Sequence, residues 1–435
     1  MACLEIIGGE KLYGEAFIQG SKNAVLPILA ACILCKEENC IKRCPNIRDT
    51  SYMFQLLEML GGSVRKENEH ICINISNITK NDLQLDIAKE MRASVLLVGP
   101  VLARTGAVCF SQPGGCVIGK RPIDLHLYVL KQLNVEILQK DGYILGRSKG
   151  LKGGKIYLPF PSVGATEQGI LTAVLAIGNT YIENAARDPE IIALCHFLRS
   201  MGAKITGDGT NRIYIQGVKQ LHGIEYSIMA DRIVAETYLA MVGACQGEIT
   251  MHLDCTDQME IVLKYMEEMG MKLYRDDNQL HCIATERLYN IPYIKTAIYP
   301  GFPTDMQSVF LALMATGIGT SCLEETIFES RFGCAMELKK MGALIEVVEN
   351  KAIVSGSKLK GNKVFARDLR GGAALITAAL AATGKSVVEN IEYVERGYDT
   401  FVTDLKKLGA KVERSKSVKG NTEYKETEIR QWEIE

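Results

Sequence analysis

Two kinds of hydrophobic segment alternate along this chain. Six short stretches, 24–34, 94–103, 169–177, 238–245, 309–316 and 373–382, are apolar on nearly every face. A helix without a polar face has nowhere to meet water, so these segments predict helices buried inside the fold. Between them run amphipathic helices, each closing on a recurrent phrase. It reads Leu-Glu-Met-Leu-Gly61, Leu-Lys-Gln-Leu-Asn134, Leu-Arg-Ser-Met-Gly202, Met-Glu-Glu-Met-Gly270, Leu-Lys-Lys-Met-Gly342 and Leu-Lys-Lys-Leu-Gly409, at intervals of 67 to 73 residues. Gly and Asn tolerate positive φ, which makes this position a helix stop. Short hairpins such as 71–74 and 213–216 follow the stops. The resulting unit, β-α-β-α-β-β, occurs six times and fills the chain. The fold class is α/β (α+β), and six units divide most simply into two domains of three, with a boundary near 220–229.

Composition adds mainly exclusions. Lys+Arg number 50 against 51 Asp+Glu, a formal charge of −1, far from the basic balance of a nucleic-acid or membrane-surface binder. Trp432 is the sole Trp, so the core is aliphatic. The longest apolar run, 24–35, falls short of the roughly 20 residues that span a bilayer, and no secretion signal opens the chain. A cytoplasmic protein is expected, with its 14 Cys reduced and mostly buried as small hydrophobes. Cys32, Cys35, Cys40 and Cys44 imitate zinc-ligand spacing without a glycine knuckle, and are read as structural. Gly384-Lys385-Ser386 imitates the end of a nucleotide-binding loop. Ala379 stands where that motif needs Gly, and a helix precedes it, so an ATPase is excluded.

Candidate chemistry lies at the helix starts. Lys22, Arg92 and Arg370 stand where buried helices begin. A helix N-terminus already carries partial positive charge, so a cation there opposes the dipole unless an anion sits nearby. If the buried helices aim alike, their positive ends converge, and two such faces form an anion-binding cleft. The loop 112–126 adds Cys116 beside Lys120 and Arg121, neighbours that lower a thiol's pKa. Arg331 and Arg396 supply guanidiniums suited to bidentate recognition of carboxylate or phosphate.

These residues resemble the enolpyruvyl transferase family, and within it the UDP-N-acetylglucosamine 1-carboxyvinyltransferases. The matching stretches are Gly-Ser-Lys22-Asn23, Met-Arg92-Ala-Ser, the loop from Pro-Gly-Gly-Cys116 to Arg121-Pro-Ile-Asp124-Leu-His126, Ser162-Val163-Gly164-Ala-Thr and Asn184-Ala-Ala-Arg187-Asp-Pro-Glu. Farther along are Pro-Thr-Asp305-Met-Gln, Glu329-Ser-Arg331-Phe, Asp368-Leu-Arg370-Gly-Gly and Glu-Arg396-Gly-Tyr. The resemblance implies a two-domain inside-out α/β barrel. Residues 22–229 would carry the Cys116 loop and much of the UDP-sugar site. Residues 230–435, joined by 1–21, would carry Asp305, Arg331, Arg370 and Arg396, with the active site between the domains.

The implied reaction moves the enolpyruvyl group of phosphoenolpyruvate to the 3′-hydroxyl of UDP-N-acetylglucosamine through a tetrahedral ketal, releasing phosphate. By resemblance Asp305 is the base, Lys22, Arg121 and Arg396 hold the phosphate, and Arg331 and Arg370 hold the carboxylate. Asn23, Pro122, Asp124, Leu125, His126, Ser162, Val163 and Gly164 line the UDP-sugar site, Ile327 and Asp368 are implied to bind substrate, and Arg92 supports the loop. Cys116 is implied to be a proton donor, a covalent adduct former or an aid to product release, and the target of fosfomycin. Neither cofactor nor metal is implied, nor a nucleic-acid or membrane partner, and the protein is expected to be a monomer. The alternative is a catalytically weak paralogue that binds the UDP-sugar as a regulator. Three departures from the family pattern stand out. Val234 and Glu236 replace Glu and Gly after Asp231-Arg232, Ser330 replaces Asn, and Gly333-Cys334-Ala335-Met336 replaces a His-containing run.

Overall fold

The computed structural model describes residues 2–83, 91–111, 119, 122–140 and 142–416. Six helices with little or no polar face form, at Lys22–Ala31, Val98–Thr105, Val163–Ala173, Arg232–Cys245, Gln307–Thr316 and Leu369–Ala381. Most start earlier than the apolar runs predicted. Their first turns hold polar residues such as Glu167, Gln168, Arg232 and Glu236, which are nonetheless buried, so hydropathy alone hides these helix starts. The predicted segment 169–177 also overshoots, because the helix ends at Ala173. All six stop residues, Gly61, Asn134, Gly202, Gly270, Gly342 and Gly409, have φ between 68° and 105°.

The strands form six four-stranded sheets among the described residues, rather than a closed barrel. In most sheets a leading strand runs parallel to the next across a buried helix, and an antiparallel hairpin completes the set, as in Tyr293–Lys295, Thr320–Glu324, Leu344–Val348 and Lys351–Ser355. Two leading strands are exchanged. Tyr13–Phe17 precedes the Lys22 helix in sequence but pairs with Glu248–His252, whereas Glu225–Ser227 precedes the Arg232 helix but pairs with Asn39–Lys42. Ala2–Gly8 lies between Gly384–Glu389 and Lys411–Lys416. The buried apolar side chains accordingly form two cores, one from Ala24 to Ile228 and one joining Leu4–Ile18 to Ala230–Val412.

Both crossings lie side by side. Gly20 bridges Ala230, Ser21 N–H donates to Met229 O at 2.8 Å and Asp231 N–H to Gln19 O at 2.9 Å. A side chain at Gly20 would meet Arg43 O at 1.9 Å, so only Gly fits there. Asp231 caps its own helix, accepting from Ile233 N–H at 3.0 Å and Val234 N–H at 3.1 Å, and also accepts Lys22 N–H at 2.9 Å. One carboxylate thus joins the starts of two helices from opposite halves.

One expectation needs correction. Cys40 and Cys72 face each other in register and are joined as a disulfide, so the cysteines are not all reduced. Cys32 and Cys35 are buried, as expected of structural cysteines. The charged segment from Lys411 starts as the strand Lys411–Lys416; residues 417–435 lie outside the described ones. Losing a cap costs about 1 kcal/mol, and Asp231→Ala strands a second buried donor besides. Urea unfolding is therefore expected to show a loss of about 2–3 kcal/mol; a loss near zero would mean that the double cap carries no weight.

Candidate active site

Carboxylates compensate the cations at Lys22, Arg232 and Arg370, and two of the carboxylates, Asp49 and Glu190, hold a cation of the opposite half. Lys22 Nζ lies 2.8 Å from Asp49 Oδ2, and Arg396 of the other half places Nε 2.9 Å from Asp49 Oδ1. Asp49 sits in the first turn of the helix Arg48–Met59 and is 2% exposed. Burial pushes its carboxyl up, but Lys22 and Arg396 outweigh this and hold it below the usual range. For Lys22 burial also dominates and lowers the ammonium, with Asp49 opposing and Arg396 and Arg370 adding to the fall. The loop after Arg396 is pinned to the first half as well, since Asn46 N–H donates to Asp399 Oδ2 at 2.9 Å.

A second cluster surrounds Asp305. It begins in the turn Thr304–Met306, just before the helix Gln307–Thr316. Arg331 Nη2 donates to Asp305 Oδ1 at 2.7 Å, and Arg370 Nη2 lies 3.5 Å from Oδ2. Both arginines are buried, and the Nε of each lacks a hydrogen-bond partner among the described residues. Burial raises the Asp305 carboxyl, yet Arg370 and then Arg331 overcome it and hold the group far below the carboxylate range. The Asp305 side chain is still 30% exposed, open to a ligand in the cleft.

Other sequence-predicted residues fall around these clusters. Arg92 Nη2 donates to Pro122 O at 2.8 Å. His126 is buried on the helix Asp124–Gln132 and faces Gly164, where an added Cβ would meet its Nε2 at 2.7 Å. Asp124 starts that helix, exposed, with Leu125 half-buried beside it. Ser162 caps the helix that Val163 and Gly164 begin, accepting from Ala165 N–H at 3.3 Å. Asn23 follows Lys22 in the first turn of its helix. Asp368 caps the Arg370 helix, accepting from Arg370 N–H at 3.0 Å and Gly371 N–H at 2.9 Å. Ile327 donates its backbone N–H to Glu325 at 2.7 Å. Cys116 and Arg121, with Lys120, lie outside the described residues.

Three supporting residues escaped the sequence reading. Asp49 looked like an ordinary acid in a first helical turn. Buried Glu325 accepts from Thr304 Oγ1 at 2.8 Å and from the Ile327 and Phe328 N–H groups, fixing the Asp305 turn against the segment that leads to Arg331. Tyr398 OH accepts from Arg370 Nη1 at 3.4 Å and lies 2.9 Å from Thr237 Oγ1. The phrase Glu-Arg396-Gly-Tyr398 was the one available signal for it.

Residues 6–405 match the family described as EPSP synthase (3-phosphoshikimate 1-carboxyvinyltransferase). The UDP-N-acetylglucosamine 1-carboxyvinyltransferase 2 of Caldanaerobacter subterraneus subsp. tengcongensis is 43% identical over 415 residues, 95% of this chain and 100% of that protein. A UDP-N-acetylglucosamine 1-carboxyvinyltransferase of Thermodesulfovibrio yellowstonii is 42% identical, covering 95% and 99%. Among solved structures, the enolpyruvyl transferase NikO from Streptomyces tendae shares the fold with a TM-score of 0.87 at 24% identity, covering 96% of this chain and 99% of its own. EPSP synthase from Acinetobacter baumannii does so with a TM-score of 0.76 at 18% identity, covering 96% and 100%. With cationic helix ends gathered between two three-sheet halves and this likeness along nearly its whole length, the chain belongs to the enolpyruvyl transferase family.

Proposed function

We propose that this enzyme transfers the enolpyruvyl group of phosphoenolpyruvate to the 3′-hydroxyl of UDP-N-acetylglucosamine, releasing phosphate at the start of peptidoglycan precursor synthesis. The names of its relatives support that pair of substrates. The observation that carries the reading is the pair of buried arginines on Asp305, each with an unspent Nε–H donor. A substrate carboxylate supplies the acceptors that these donors lack, while Lys22 and Arg396 face the phosphate. His126, Ser162, Val163 and Gly164 form part of the UDP-sugar wall. No helix among the described residues is long and apolar enough to cross a membrane.

In the addition step the sugar hydroxyl oxygen bonds to the carbon that bears the phosphate, and its proton passes to Asp305. The methylene carbon takes a proton at the same time from an acid, the part that the resemblance offers to the Cys116 thiol, giving the tetrahedral ketal. Elimination then breaks the carbon–oxygen bond to phosphate, and a proton leaves the new methyl group to restore the double bond. Asp305 is ionised at neutral pH, as a base must be, but two guanidiniums make it a weak one. A substrate carboxylate that shares Arg331 and Arg370 relieves this hold and raises the basicity of Asp305 when it is needed. Retention of Lys22, Asp305 and Arg396 in one cleft suits turnover rather than sugar binding alone.

Asp305→Asn keeps the shape and removes the base, so phosphate release with both substrates is expected to fall by about 10²–10⁴-fold while UDP-sugar binding persists. Unchanged turnover would remove Asp305 from the mechanism. Asp49→Asn leaves Lys22 and Arg396 without their shared counter-ion. Urea unfolding should show a loss of about 2–3 kcal/mol, at or below the low end for breaking a buried pair because Arg396 keeps some contact with water. No loss would contradict a bridging role for Asp49.

A further inference from the structure

Arg232 opens a helix of the second half yet directs its guanidinium to the first. Its Nε lies 3.2 Å from Glu190 Oε1, its Nη2 3.5 Å from Glu190 Oε2, and Asp188 Oδ1 is 3.9 Å away. Tyr299 covers one face of the guanidinium at 5.6 Å. One turn farther along the helix, Glu236 is 1% exposed, and its Oε2 has no hydrogen-bond partner among the described residues. Gln258 Oε1 is likewise unpartnered. Both side chains line one small cleft with Arg232, Tyr299 and Pro303, two residues before Asp305. Two acceptors without a donor, one of them a carboxylate sealed from water, mark a place that lacks a proton.

The surrounding charges agree. Asp231 and Arg232 face Glu236 from its own helix, Glu190 from the start of the helix Pro189–Ser200 and Asp305 from its turn, while Asp188 faces Arg232. Glu167 of the helix Val163–Ala173 joins Glu190 and Asp188, Glu260 borders the cleft, and Cys255 and Tyr299 lie close by as neutral groups. Arg232 is the one cation against this set among the described residues that line the cleft. Burial, reinforced by Asp231, Glu190 and Asp305 against the pull of Arg232, raises the Glu236 carboxyl to about 8. Burial and Glu190 likewise raise Asp188 to about 6.

We propose that Glu236 is a positioning residue that works as a neutral acid, leaving Arg232 to Glu190 across the boundary and so keeping the two halves joined beneath Asp305. Its ionised form competes for Arg232 from four residues along the same helix, a spacing that brings side chains together. It also repels Glu190 on the other half and Asp305 on its own. Val234, on the same helix, is packed into the core. The proposal rests on the reading that Asp305 acts in enolpyruvyl transfer.

The test compares wild type with Glu236→Gln and Glu236→Gly between pH 5 and 9, by phosphate release and by urea unfolding. Wild type keeps the proton up to about pH 8. Its kcat/KM for phosphoenolpyruvate should then fall to about a tenth of its neutral value by pH 9, while both variants hold theirs. In urea the sign follows from proton binding. Between about pH 4.5 and 8 the folded state holds a proton that the unfolded chain has released, so wild-type stability falls with rising pH relative to Glu236→Gln. Superimposable pH–rate profiles, or a urea difference that does not change with pH, would overturn the proposal. If Glu236→Gln does not fold, Glu236→Gly carries the comparison. A pH-dependent urea difference with no phosphate release from any form would support the proton on Glu236 and overturn the transferase reading instead.

Discussion

Burying a guanidinium or ammonium is tolerable only where an anion faces it, and the architecture between the halves follows from that constraint. Lys22 and Arg396 share Asp49, Arg331 and Arg370 share Asp305, and Arg232 takes Glu190. Two of these carboxylates, Asp49 and Glu190, belong to the half opposite a cation they hold. The ion pairs that make burial acceptable are therefore also what ties the halves together. The same cations can serve an anionic substrate because carboxylate–guanidinium contacts are exchangeable: one acceptor can share or replace another without refolding the helix that presents the donor.

The covalent path of the chain reinforces this arrangement. With Tyr13–Phe17 and Glu225–Ser227 exchanged between the halves, the two crossing segments run antiparallel at Gly20 and Ala230 and end at adjacent helix starts. Asp231 caps both, so Lys22 and Arg232 emerge from one hydrogen-bonded knot. The Glu325 and Tyr398 networks do comparable work for Asp305 and Arg370, fixing side chains whose charge alone would let them wander. Rigid placement matters here because electrostatic stabilisation of a transferring group depends on donors already oriented before the reaction.

Much of this was legible in the sequence, and the exceptions have physical causes. Buried helices, and the glycine or asparagine stops of the amphipathic ones, show up because hydropathy and positive φ leave local marks, as at Gly202 and Asn134. Helix starts are harder to read because the first turns hold polar side chains, buried as they are at Glu167 and Gln168. Lys22, Arg370 and Asp305 were readable because their types at helix starts invite an explanation. Asp49 was not: an acid in a first turn is what any helix prefers, and its partners are distant in sequence. The Cys40–Cys72 bond depends on strand register across a sheet, which cysteine spacing does not encode. The exchange of leading strands is likewise a long-range pairing. Glu236 was visible as a departure from the related pattern, but its consequence needed the geometry of Arg232 and Glu190.

The central claim is that ligand carboxylate and Asp305 share one pair of arginines, so that binding sets the strength of the base. Infrared titration of the Asp305 carboxyl, isolated by difference against Asp305→Asn in protein carrying ¹³C-labelled aspartate, measures this directly. Free protein is predicted to show Asp305 titrating well below the ordinary carboxylate range. Saturation with UDP-N-acetylglucosamine and a non-reacting carboxylate analogue of phosphoenolpyruvate should move that titration upward. An Asp305 carboxyl that titrates at the same pH with and without the analogue would contradict the account.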